Sequence, residues 1–172
     1  MKSKLFLVVM LVLGTFPGAL LAQTRDALIG TWKLVSATDT TDKGITKDAF
    51  GKDPVGFLTY TPDGRMSATI AFGGRKPLSV PDYIAAPAEE RAEAFSTFSA
   101  YAGSYTHTGN IVVHHVEVAA LQNRVNTDLT RTIAKLDQNY LILRTPPYLK
   151  GGVMVNTELV WERLTSGETR SR

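Results

Sequence analysis

The chain has 172 residues, 44% of them hydrophobic and 20% charged, with a formal net charge of +3 and no cysteine. That is ordinary globular material of a size for one full core, and it excludes collagen-like, disordered and disulfide-braced classes. Taking out Lys2 and Lys4 with the N-terminal leader described next leaves 17 basic residues against 16 acidic, a near balance with no basic stripe, so nothing points to nucleic acid.

Residues 1–22 stand apart. Lys2 and Lys4 precede an apolar run from Leu5 to Leu13, then come Gly14, Pro17, Gly18 and Leu20-Leu21-Ala22. This is the layout of a secretory signal peptide cleaved after Ala22, and it predicts a periplasmic or secreted protein. The apolar run is too short and too broken for the roughly 20 residues a membrane span needs, so no stable membrane insertion is expected after cleavage. Residues 23–172 are then expected to form a single domain.

Ala27 to Ser36 alternates Leu28, Trp32 and Leu34 against Ile29, Thr31 and Lys33 and is predicted to be the first strand. Residues 37–54 are polar and are expected to be a loop across a barrel rim. Val55–Tyr60 and Arg65–Phe72 flank Thr61-Pro62-Asp63-Gly64, a turn closed by a left-handed glycine. That register sets Tyr60 opposite Met66 and Leu58 opposite Ala68.

Residues 73–87 hold three prolines and two glycines and are expected to be irregular. Ala88 to Tyr101 is predicted to be an amphipathic helix, with Glu89 and Glu90 in its first turn and Phe95, Phe98 and Tyr101 on one stripe. Such a helix is expected to lie over a sheet or plug a barrel end.

The run YAGSYTHTGNIVVHHVEV, Tyr101 to Val118, folds as a hairpin about Gly109-Asn110. Counting outward sets Tyr105 opposite His114 and Gly103 opposite Val116. The inward face then carries Tyr101, Gly103, Tyr105, His107, Val112, His114, Val116 and Val118. His115 and Glu117 fall on the outer face and are expected to be solvated. Leu129–Leu136 and Tyr140–Thr145 form a further hairpin whose loop admits two or three residues, Pro146-Pro147 ends it, and Val153–Leu164 is the last strand.

Eight or nine strands in succession with short connections predict an all-β fold, a closed or nearly closed antiparallel up-and-down barrel with one helix. Closure removes the unpaired edges of such a meander. A barrel of about eight strands is either filled by side chains or holds one small ligand.

Five stretches in this order, LIGTWKLVS, GFLTYTPDGRMSATI, AYAGSY, VVHHVEV and LVWERL, resemble the bacterial and fungal lipocalin-like domain proteins, distant relatives of the lipocalins. The resemblance runs from about Leu28 to Leu164 and implies a calycin-type barrel with a central cavity. In lipocalins an arginine packs across the first-strand tryptophan at the closed end, and here Arg163 or Arg131 is implied in that part toward Trp32. The second lipocalin motif, a Thr-Asp-Tyr turn, has no counterpart.

The residue pattern leads to a small hydrophobic or amphipathic ligand in a cavity lined by Trp32, Leu58, Tyr60, Met66, Tyr105, His114 and Val116. A second reading makes the chain an enzyme of isomerase, cyclase or dehydratase type, with His114 and Tyr105 moving a proton on a hydrophobic metabolite. A structural hydrogen bond between the same two groups is the simpler account of the pair, and a filled barrel acting by its surface is the third possibility. No metal or other cofactor is expected. His114 and His115 leave a strand on opposite faces, and His107 brings no third ligand to a zinc site. Gly73-Gly74-Arg75-Lys76 lacks the strand-to-helix setting of a phosphate loop.

Overall fold

The computed structural model describes residues 27–165; the leader expectation for residues 1–22 and its cleavage site lie outside the described residues. Ten strands follow one another: β1 (Gly30–Thr41), β2 (Thr46–Asp48), β3 (Val55–Tyr60), β4 (Arg65–Ala71), β5 (Phe98–Thr108), β6 (Ile111–Ala119), β7 (Asp128–Leu136), β8 (Tyr140–Arg144), β9 (Tyr148–Lys150) and β10 (Val153–Arg163). All pairings between them are antiparallel, and β1 pairs with both β3 and β10. The eight strands β1, β3, β4, β5, β6, β7, β8 and β10 therefore close into an up-and-down barrel, with β2 and β9 as short extra strands at its rim.

The two long hairpins keep the register their turns dictate. Tyr60 faces Met66 and Leu58 faces Ala68, with Gly64 at φ 85° closing the turn. Tyr105 faces His114, and Gly109 adopts φ 60° between the strands. A two-residue loop needs this positive φ to match the twist of its strands, and glycine supplies it without strain.

Three β-bulges change which face a residue occupies. The first inserts Val35 into β1 opposite β10, so that Ser36 is exposed while Ala37 and Asp39 turn inward. The second inserts Glu117 into β6, after which Val118 points out and is 61% exposed. Val118 thus leaves the inward face that strict alternation assigns it, and Tyr101 pairs with Ala119 instead. Gly103 sits at this bulge because a Cβ there would lie 1.9 Å from the carbonyl oxygen of His115. The third inserts Ala134 into β7. Each bulge adds local bend and twist, which a closed barrel needs.

Other expectations are corrected. The first strand runs to Thr41, and part of the stretch expected to be loop pairs with it as β2. Helix α1 spans Ala88–Ser96 only. From Phe98 onward the backbone pairs residue by residue with β4, from Ala71↔Phe98 to Arg65↔Ser104, and this ladder outcompetes the helical stripe. None of the residues of α1 is buried, so it does not plug the barrel. It is tethered from outside: Glu90 accepts from the backbone and hydroxyl of Ser79, and Arg75 donates to the carbonyl of Ala94. The expectation for the outer face holds: Glu117 and His115 are at the surface, where Glu117 also pairs with Arg65 through two bonds of 2.6 and 2.8 Å and His115 with Asp128 at 2.7 Å.

The end of the barrel near Trp32 is closed. The Trp32 indole donates to the carbonyl of Leu28 at 2.9 Å, and the Arg163 guanidinium lies 4.0 Å over the Trp32 ring. Arg163 also donates to the carbonyls of Ala27, Ile29 and Gln138, tying the segment before β1 and the turn between β7 and β8 to the last strand. Arg163 therefore takes the part for which the sequence left two candidates. Trp32, Tyr60, Met66, Tyr105, Val112 and Leu141 are all buried in the core.

Candidate functional site

Above this packed floor the barrel is hollow. A cavity of about 250 Å3 opens at the other end, its wall built from Leu58, Ala68, Ile70, Leu143, Leu159 and Trp161 with Tyr101, His114 and Arg131 among them. Phe50, Ser99, Arg124, Pro146 and Tyr148 form its mouth and continue into an apolar groove lined by Phe72, Phe95, Phe98, Leu121 and Leu149.

Of the residues predicted from the sequence to line a site, Leu58 and His114 are at the cavity wall. Trp32, Tyr60, Met66, Tyr105 and Val116 are buried around it without lining it. His114 is 1% exposed, and both its ring nitrogens are engaged. The Tyr60 hydroxyl lies 2.6 Å from Nε2 and the Tyr101 hydroxyl 2.9 Å from Nδ1. The phenol paired with His114 in the strand register is a different one: Tyr105 packs its ring edge-on to Tyr60 at 4.8 Å and donates its hydroxyl to the carbonyl of Thr61 at 3.2 Å. Register brings two residues to the same level of a sheet; it does not aim the end of a long side chain.

Burial, assisted by the positive charge of Arg131 and the neighbouring His115, lowers the His114 pKa to about 3. Burial also raises the Tyr60 hydroxyl well above the ordinary tyrosine value, with the Tyr101 phenol adding to the effect, Arg131 opposing it and Tyr105 adding slightly. Both groups are thus neutral at physiological pH. A neutral imidazole has one donor and one acceptor, so one tyrosine donates to His114 and the other accepts from it. The arrangement satisfies every polar atom of the ring and joins the core to the cavity through Tyr101.

The pattern of apolar alternation did not single out three features. Arg131 belongs to β7, where it pairs with Val112 of β6, a residue wholly buried in the barrel, and so projects inward. Its Nη1 donates to the carbonyl of Thr130 at 2.8 Å. Trp161 lines the cavity, is 2% exposed, and its Nε1 has no hydrogen-bond partner among the described residues. At the rim, the fully buried Asp39 accepts from Thr157 at 2.6 Å and from Lys150 at 2.7 Å, while Tyr148 is bonded to Thr157 at 2.9 Å. Arg131 carried a signal in the sequence, as a charged residue on the same strand face as Leu129 and Ile133, and so did Trp161 on the face of Leu159. Asp39 depends on the β1 bulge and had none.

Among the described residues no group of three or more His, Cys, Asp or Glu side chains is placed to hold a metal ion. No helix among them is long and apolar enough to cross a membrane.

Comparison with known proteins gives a family. Among solved structures, a lipocalin-like protein from Bacteroides uniformis ATCC 8492 is 15% identical and aligns over 80% of this chain and 99% of its own, with a TM-score of 0.43. An uncharacterized protein from Bacteroides eggerthii DSM 20697 is 11% identical over 80% of this chain and 99% of its own, with a TM-score of 0.42. A redesigned beta barrel is 12% identical over 81% and 94%, with a TM-score of 0.40. No curated protein matches. The lipocalin-like domain matches residues 29–164, nearly the whole described barrel, and the chain belongs to the lipocalin-like domain family.

Proposed function

We propose that this is an exported binding protein that takes up one small hydrophobic or amphipathic molecule in its barrel. The observation that carries the reading is the cavity of about 250 Å3, apolar over most of its wall, open at one end and closed at the other by the Trp32 and Arg163 stack. Ligand sites are concave, mostly apolar and furnished with a few oriented polar groups, and this cavity matches that description. Export rests on the leader pattern of residues 1–22. Mass spectrometry of small molecules that co-purify with the protein from its native envelope tests the reading. A stoichiometric compound that Ala68→Leu removes is the expected result; a barrel that carries nothing and binds no hydrophobic probe overturns it.

One observation favours a second reading. The Tyr101 hydroxyl stands at the cavity wall 2.9 Å from Nδ1 of the neutral His114, itself held by Tyr60 at 2.6 Å, and a phenol so placed gives a proton to one atom of a bound molecule and takes one back from another. On this reading the protein is an isomerase, cyclase or dehydratase type of enzyme, with Tyr101 at the substrate in the place the sequence assigned to Tyr105. His114→Gln separates the two readings: retained ligand affinity with lost turnover supports the enzyme, and unchanged behaviour supports binding alone.

A further inference from the structure

The polar groups of the cavity are unbalanced. Arg131 presents a guanidinium inward, and among the described residues it has no carboxylate partner. Asp128 is the one carboxylate residue among those lining the cavity, and its Oδ1 is bonded to His115 on the outer face. The nearby buried Asp39 is neutralised by Lys150 and accepts a hydrogen bond from Thr157. His114 and Tyr60 are bonded to each other, and Arg124 at the mouth is held by Ser99 and lies over the Tyr101 ring. Independently, Trp161 leaves a buried N–H unmatched at the wall of the same cavity. A donor that loses water and gains nothing is costly, and a cation facing an apolar wall more so. Both faults have one remedy, a ligand that brings negative charge and acceptor oxygens.

We propose that the ligand is an amphipathic monocarboxylate, its carboxylate held by Arg131 and its apolar body against Leu58, Ala68, Ile70 and Leu143. The planar fork of arginine matches a carboxylate in shape as well as charge. The Trp161 N–H serves a second acceptor of the ligand. At about 30 Å3 for each water in the liquid, the cavity takes a molecule on the order of ten non-hydrogen atoms, and a longer tail leaves by the mouth into the groove of Phe95, Phe98 and Leu121.

The inference rests on the small-molecule reading and deepens it, so its test separates the two. Octanoate, 1-octanol and octylamine share one apolar body and differ in charge, and calorimetric titration of each into the purified protein is the measurement. Octanoate is expected to bind about 10- to 100-fold tighter than octanol, the range for one buried charge-assisted hydrogen-bonded contact, with octylamine weakest. In Arg131→Met the preference for octanoate is lost while octanol binding stays, and Arg131→Lys restores part of it. Equal binding of octanoate and octanol by the native protein overturns the carboxylate assignment and leaves small-molecule binding standing. Failure of all three to bind overturns both. The comparison within the native protein stands even where an Arg131 variant fails to fold.

Discussion

The hydroxyl of Tyr60 lies 2.6 Å from Nε2 of His114, and both side chains are buried. Removing the hydroxyl leaves a ring nitrogen desolvated and unmatched. Tyr60→Phe is therefore expected to lose about 1–3 kcal/mol of stability in urea titration, the cost of an unsatisfied buried polar atom. Tyr101→Phe loses less, because Tyr101 borders the cavity and water can replace its hydroxyl. Equal losses in the two variants would contradict the geometry.

The His114 pKa of about 3 makes a statement about acid stability. The folded value lies below the unfolded one of 6.5, so between about pH 6.5 and pH 3 the unfolded chain binds the proton that the folded one refuses. Stability consequently falls as pH drops through this window, by up to about 1.4 kcal/mol per pH unit from this group. His114→Gln keeps a neutral polar group and removes the titration. The difference in unfolding free energy between native protein and variant should narrow with falling pH; parallel curves would show that His114 is not buried neutral.

Arg163 holds the closed end through its stack on Trp32 and its bonds to the carbonyls of Ala27, Ile29 and Gln138. Arg163→Met is expected to cost about 2–4 kcal/mol, from the lost cation–π contact and charge-assisted hydrogen bonds. Gly30 beside it has φ 132°, and a Cβ there would lie 2.8 Å from Arg163 Nη1. Gly30→Ala should weaken the same seal, seen as a lower Tm and a change in Trp32 fluorescence.

Asp39 is wholly buried, while the Lys150 side chain that neutralises it is 33% exposed. Lys150→Met strands a buried carboxylate, and the expected loss is about 3 kcal/mol. Adding Asp39→Asn removes the stranded charge, so the double variant should be more stable than Lys150→Met alone. The reverse order in thermal melts would show that the pair is not what balances Asp39.

A side chain at Gly103 has no room at the β6 bulge, where its Cβ would meet the His115 carbonyl oxygen at 1.9 Å. Gly103→Ala must open the hairpin ladder or move the strand, at a cost of about 3 kcal/mol or more. Loss of amide hydrogen-exchange protection along the β5–β6 ladder on either side of the bulge is the readout.

Much of the fold was legible from local chemistry. Thr61-Pro62-Asp63-Gly64 and Gly109-Asn110 each determine a turn type, and a turn sets every pairing in its hairpin, so Tyr60↔Met66 and Tyr105↔His114 followed by counting. The succession of strands with short links implied closure, and the Gly-x-Trp first strand with LVWERL near the end pointed to the family. His114 was legible as an inward polar residue for the same reason.

What depended on distant strands was not legible. The end of α1 at Ser96 is decided by the open edge of β4, and the inward turn of Asp39 by one extra residue in β1 facing β10. The partners of His114 come from β3 and from the mouth end of β5, and only closure brings Tyr60 and Tyr101 to the same ring. By itself the sequence determined the register of two hairpins, the succession of strands that closes, and the inward face of each strand up to its bulge, because turns and alternation act over a few residues. Tertiary structure alone decided where the barrel is hollow and which hydroxyls reach His114. It also decided that Arg131 meets no acid among the described residues, since these depend on bulges and side-chain reach across strands far apart in the chain.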